Sequence, residues 1–205
     1  MAARTWTELK MPKLDPKTMQ KRRQNILDAA IRQFEKTGFG AASVDDICAE
    51  ARISKGALYT HFESKEAIML EIIRQRGLVY EAIRAGSLEE LEELIFDLFL
   101  RGLSYADSRL EMEAVTIGAS NELIRAALIA NSRRCEDRIR ILLEELSAAG
   151  KVAFQGDTDA AETSVLIHTY VLGRLSRQIY ETANLDAEAR RGLRMTVHGL
   201  VRAAT

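Results

Sequence analysis

Proline is almost missing from this chain of 205 residues. Its two copies are Pro12 and Pro16, so from Lys17 onward no ring fixes φ or removes a backbone donor, and helix is open everywhere. Cysteine is equally scarce. Cys48 and Cys135 stand far apart among apolar neighbours, which excludes a disulfide framework and fits small buried hydrophobes in a reducing compartment. Long apolar runs are lacking too. The most apolar window, "LIFDLFL" at Leu94–Leu100, is short and holds Asp97, so no membrane span is expected. Behind the basic residues of "MAARTWTELKMPKLDPK" there is no apolar stretch, so no secretion signal is expected and the chain reads as cytoplasmic. No Asn-Gly or Asp-Gly hairpin turn and no long period-two alternation occurs. The expected fold class is therefore all-α.

Signatures of catalysis are lacking as well. The three histidines, His61, His168 and His198, have no metal-ligand spacing with each other or with cysteine, and no metal or cofactor is expected. No Gly-rich phosphate loop, GxSxG or HExxH occurs, which argues against an enzyme. Net charge is −1, but it is unevenly spread. Residues 1–65 carry 12 Lys+Arg against 8 Asp+Glu, and the remainder carries 17 against 22. A basic first third on an acidic body is a pointer to a polyanion partner.

What is present is helical periodicity, in about nine stretches. Residues 1–16 read as a flexible arm. A first helix over 17–36 carries the stripe Ile26, Leu27, Ala30, Ile31, Phe34, and Gly38 is placed to end it. Ser43 with Asp46 makes a capping-box-like start for a short helix, Val44 to Ala51. Ser54 caps a third, to about Phe62, and Ser64 a fourth, to Arg76 or about a turn beyond. Ser87 opens a helix to about Tyr105, and another surrounds Arg109–Ala119. Asn121 opens a long one to Ala149, stopped at Gly150. "AGKVAFQGDTD" reads as a loop, then Asp157 or Asp159 opens a helix to about Thr182, and Asp186 the last, to about Arg202. The expected division is 1–16 arm, 17–63 head and 64–205 bundle.

The segment with the clearest chemistry is 43–62. Two helices too short to stand alone are joined by "RI", with Val44, Ile47, Cys48, Ala51, Ile53, Leu58 and Phe62 as packing positions. That is the layout of a helix-turn-helix. The opposite face offers Ser54, Lys55, Gly56, Ala57, Tyr59, Thr60 and His61. Small residues early in that helix let its N-terminus approach a groove, where free amides favour phosphate. Gly56 costs about 1 kcal/mol against alanine in a helix interior, so something must justify it. Ser43 and Lys65 start the flanking helices.

At these residues the chain resembles the TetR/AcrR family of transcriptional regulators. The resemblance runs through "GFGAASVDDICAEARISKGALYTHFESKEAIML", Gly38 to Leu70, and covers roughly Lys21 to Met69. It implies a homodimeric repressor with two heads on double-stranded operator DNA and a small-molecule effector site in each bundle. It implies DNA contacts at Ser43, Ser54, Lys55, Gly56, Ala57, Tyr59, Thr60, His61 and Lys65. Lys55, Ala57 and Thr60 are assigned to bases, and Ser43, Tyr59, His61 and Lys65 to phosphates. Two residues depart from the family pattern: Cys48 replaces alanine and Arg52 replaces glycine. A left-handed Arg52 would cost roughly 1 kcal/mol; its side chain either offsets that by reaching a phosphate or is simply solvated.

In such a regulator the last two helices form the dimer face, here Val165, Thr169, Leu172, Gly173 and Ser176, then Leu193, Val197 and Leu200. Effector-lining candidates are Phe96, Phe99, Leu103, Tyr105, Met112, Thr116, Leu123, Leu128 and His168. Their character points to an apolar or aromatic ligand, although the same residues would fill a plain core. Two other readings remain: a redox- or metal-responsive sensor using Cys48 or Cys135, and a helix-turn-helix scaffold that no longer binds DNA.

Overall fold

The computed structural model describes residues 15–100, 105–181 and 186–204, with 105–107 by backbone only. Helix α1 spans Pro16–Thr37, α2 Val44–Ala51, α3 Lys55–Tyr59 and α4 Lys65–Gly77, extended by a 3-10 turn over Leu78–Ala82. Then come α5 Leu88–Phe99, α6 Tyr105–Gly118, α7 Glu122–Ala148, α8 Ala160–Arg177 and α9 Asp186–Leu200. The expected all-α class holds.

Small polar side chains set most of the starts. Asp15 accepts from the N–H groups of Lys17 and Thr18, and Pro16 sits at the first helical position, where its missing N–H costs nothing. The last residue of the expected arm, Pro16, thus belongs to α1 and Asp15 caps it; residues 1–14 lie outside the described residues. Ser43 and Asp46 form a full capping box, and Ser54, Ser64, Ser87, Asn121 and Asp159 each accept from a backbone N–H three residues on.

Four boundaries differ from expectation, one being that α8 ends at Arg177 rather than near Thr182. Helix α3 ends at Tyr59, and His61 and Phe62 continue only as a turn bonded to the Leu58 carbonyl. Helix α5 stops at Phe99, and Tyr105 belongs to α6. Within the expected loop, Val152–Phe154 (β1) pairs antiparallel with Val201–Ala203 (β2), Ala153 facing Arg202. Val152 and Val201 plug the end of the bundle core. A three-residue strand is too short for period two to be read.

Two apolar clusters hold the molecule. One joins α1–α4 to Leu110 and Ala114 on α6 and to Ile124 and Ala127 on α7. The other joins α5, the rest of α7, α8, α9 and the strand pair. The head is therefore seated on α6 and α7 through a shared core rather than tethered by a linker. Among the described residues no helix is long and apolar enough to cross a membrane.

Candidate functional site

The candidate edge of the head is built from α2, a tight turn and α3. Arg52 ends α2 in the left-handed region, φ 55 and ψ 47, the one non-glycine residue with positive φ among those described. The turn is held by Ile53 N–H on the Cys48 carbonyl at 3.0 Å. Asn25 of α1 donates to the Ala51 carbonyl at 2.9 Å, a brace that no local pattern announces. Leu58 and Phe62 are buried against α1, which fixes the rotation of α3.

That rotation leaves Ser54, Lys55, Gly56, Tyr59 and Thr60 exposed, with Ala57 and His61 half-buried beside them. An added Cβ at Gly56 would meet nothing within 4 Å, so no packing inside the protein requires glycine there. Tyr59 is 48% exposed, a large aromatic with no core role. Ser43 and Ser54 spend their hydroxyls as caps, and Thr60 donates to the Gly56 carbonyl. Lys55 pairs with Asp45 at 3.0 Å; both are exposed, so the pair is worth little. The Arg52 backbone N–H donates to the Ala49 carbonyl at 3.2 Å, while its exposed side chain makes no hydrogen bond or ion pair among the described residues.

Lys65 is placed differently from the expectation of a free cation. Its Nζ donates to the carbonyls of Phe39 (2.5 Å) and Ala42 (2.9 Å) and lies 4.4 Å from the Phe39 ring centre. It braces the α1–α2 loop. Arg23, absent from the expected set, sits 4.1 Å over the Phe62 ring, donates to the His61 carbonyl and pairs with Glu71. Burial first, then Arg23 and Arg22, holds the His61 imidazole below its usual range and hence neutral at pH 7.

A cavity of about 420 Å³ lies between α4, α5, α6, α7 and α8. Phe99, Leu128 and His168 line it as expected, together with the unexpected Tyr80, Asn131 and Ser132. Leu172, expected on the dimer face, also reaches it. Phe96 belongs instead to the bundle core, under the Arg190 guanidinium. Leu123 points to solvent, and Met112 and Thr116 do not line the cavity. Leu103 and the Tyr105 side chain lie outside the described residues. Burial and Glu136 push the Cys135 thiol up to about 12, and burial followed by Asp45 raises Cys48; both thiols are buried.

Helix α8 is apolar on two sides. Ile167, Val171 and Leu175 are buried, while Val165, Leu166, Thr169, Leu172 and Gly173 face out and Ser176 is half-buried. On α9, Leu193 and Val197 are only 1% and 0% exposed and pack in their own bundle, so they present nothing to a second copy. Leu200 is half-buried against the same core; the outward residues of this part of α9 include Met195 and Gly199 beside the charged Arg191 and Arg194. Periodicity located the stripe on α9, and the stripe turned inward.

Comparison with known proteins agrees with this geometry. The family model described as bacterial regulatory proteins, tetR family, matches residues 26–72, from α1 into α4. The chain is 28% identical over 192 residues to the HTH-type transcriptional regulator UidR of Escherichia coli K12, covering 90% of this chain and 95% of that one. It is 35% identical over 100 residues to the A-factor receptor protein of Streptomyces griseus, covering 46% of this chain and 36% of that protein. A transcriptional regulator from Saccharomonospora viridis solved in complex with choline superposes with a TM-score of 0.75 at 21% identity, over 89% of this chain and 99% of that one. At that identity the likeness is one of fold.

Proposed function

The chain belongs to the TetR family of bacterial regulatory proteins, and on that premise we propose that it is a ligand-responsive repressor. It binds a two-fold symmetric DNA operator as a homodimer and is released by a small apolar or aromatic effector. The observation that carries this reading is the outward face of α3. Gly56 has open space where a side chain would stand, Tyr59 is exposed without a packing role, and Lys55 and Arg52 hold charge beside them. Such a face suits a major groove whose walls are phosphate.

In this reading Ser54, Lys55, Ala57 and Thr60 meet base edges, and Ser43, Arg52, Tyr59 and His61 meet phosphate or sugar. Gly56 provides clearance. Lys65 acts as a brace for the α1–α2 loop. The second copy docks on the outward residues of α8, Val165, Leu166, Thr169, Leu172 and Gly173, with Met195 and Gly199 of α9. Effector in the cavity acts on the head through α4 and α6. Each touches the cavity with one stretch (Ile73 and Arg76; Glu111 and Val115) and the α1–α2 loop or the end of α1 with another (Lys65; Arg109 and Glu113). The buried thiols, held protonated, weigh against a redox-responsive version.

The test is capture of sheared genomic DNA by the folded protein, followed by sequencing. The reading expects a small set of fragments sharing an inverted repeat. Folded, dimeric protein that retains no specific fragment would contradict it.

A further inference from the structure

We propose that the effector is an uncharged, largely apolar molecule carrying a hydroxyl, and that His168 Nε2 accepts the hydrogen bond from that hydroxyl. This rests on the cavity being the effector site. His168 is 7% exposed, and its Nδ1 lies 2.8 Å from Glu136 Oε1 on α7. A carboxylate only accepts, so the proton between them sits on Nδ1 and fixes the tautomer. In the neutral ring Nε2 then carries the lone pair. It has no partner among the described residues, and the ring lines the cavity. An acceptor that opens onto a cavity is best met by water or by a ligand donor.

The remaining polar groups point the same way. Ser132 lies one helical turn before Glu136, on the same face of α7, and lines the cavity beside His168. Burial, first among the causes, raises the Tyr80 phenol, which therefore stays protonated and neutral. The cation on the wall, Arg76, is matched by Glu111 at 3.4 Å, and Glu136 stands behind His168. An anionic head would surrender its hydration without an unmatched positive partner, so the site disfavours carboxylates. Ile73, Leu98, Phe99, Leu128, Val171 and Leu175 supply apolar walls, and the volume of about 420 Å³ suits a small drug-sized body.

Three probes of matched shape decide the matter: 4-propylphenol, 4-propylanisole and 4-propylbenzoate, titrated calorimetrically into the full chain. The proposal expects the phenol to bind about tenfold tighter than its methyl ether, the value of one net hydrogen bond, and the benzoate weakest. His168→Leu should collapse the phenol-to-ether ratio to about one. His168→Gln, which keeps an acceptor and spares the fold if leucine does not, should retain part of it. Equal binding of phenol and ether to the wild type overturns the hydroxyl assignment while leaving the cavity as effector site. Tightest binding of the benzoate also overturns it, because His168 would then be a charged donor. No binding by any probe overturns the hydroxyl-bearing effector, and probe binding that survives when Leu128→Trp fills the cavity overturns both this inference and the effector reading beneath it.

Discussion

Glu113 of α6 accepts a hydrogen bond from the backbone N–H of Phe39 at 2.6 Å, across 74 positions of sequence. One turn earlier, Arg109 donates to the carbonyls of Phe34 and Glu35. Between them they fasten a cavity-lining helix to the loop that leads into α2. Glu113→Ala should leave both effector binding and operator binding near wild type, yet raise the effector concentration needed to release DNA. The lost bond to a half-buried N–H should cost about 1–3 kcal/mol in denaturant unfolding. Release at unchanged effector concentration would show that this contact carries no coupling.

Gly56→Ala separates the helix from the groove. The new methyl meets nothing in the protein, so stability should hold or rise by up to about 1 kcal/mol. DNA affinity should fall at the same time. Tyr59→Ala should also weaken binding across all sequences while shifting stability by under about 0.5 kcal/mol, as for an exposed site. Thermal melts beside operator titrations read both effects. A destabilised Gly56→Ala with unaltered affinity would remove the clearance argument.

Much of the head was legible because its signals are local. Ser43 and Ser54 announce their helices through bonds spanning three residues, as Ser64 and Asn121 do in the bundle, and Arg52 betrays its left-handed turn by standing where the family has glycine. Long-range contacts leave no such trace: Glu113 on Phe39, Asn25 on Ala51 and the β1–β2 pair each join distant segments. Helix α8 defeats periodicity for another reason. Apolar residues ring it, so inner Ile167 and outer Val165 look alike in sequence. The cavity was legible only in part, since Phe99 and Phe96 are three residues apart and share one core cluster, yet only Phe99 lines the cavity.

The two faces of the last helices make a paired prediction. Val165→Arg, on the outward side of α8, should give a folded monomer by sedimentation with little loss of unfolding free energy. Leu193→Ala, in the bundle core, should cost about 2–5 kcal/mol whatever the oligomeric state. A dimer that survives Val165→Arg would move the interface elsewhere.

His61 sets a pH dependence. Its folded pKa lies below the ordinary 6.5, so the unfolded chain binds more protons just below that value, and stability of the free protein falls as pH drops through it. A phosphate beside the ring favours the imidazolium, so DNA binding takes up a proton and should tighten as pH falls below 6.5. His61→Gln should flatten the affinity profile between pH 8 and 5.5. A wild-type profile already flat would place His61 away from phosphate.

The central claim, that α3 and its flanks lie on duplex DNA, is tested most directly by the salt dependence of affinity for a captured inverted repeat, read by fluorescence anisotropy. The account predicts a linear fall of log affinity with log salt, its slope falling by about 1 in Arg52→Gly, as one phosphate contact is lost. An affinity that ignores salt, or that falls with the same slope in wild type and in the Lys55→Ala, Arg52→Gly double variant, would contradict it.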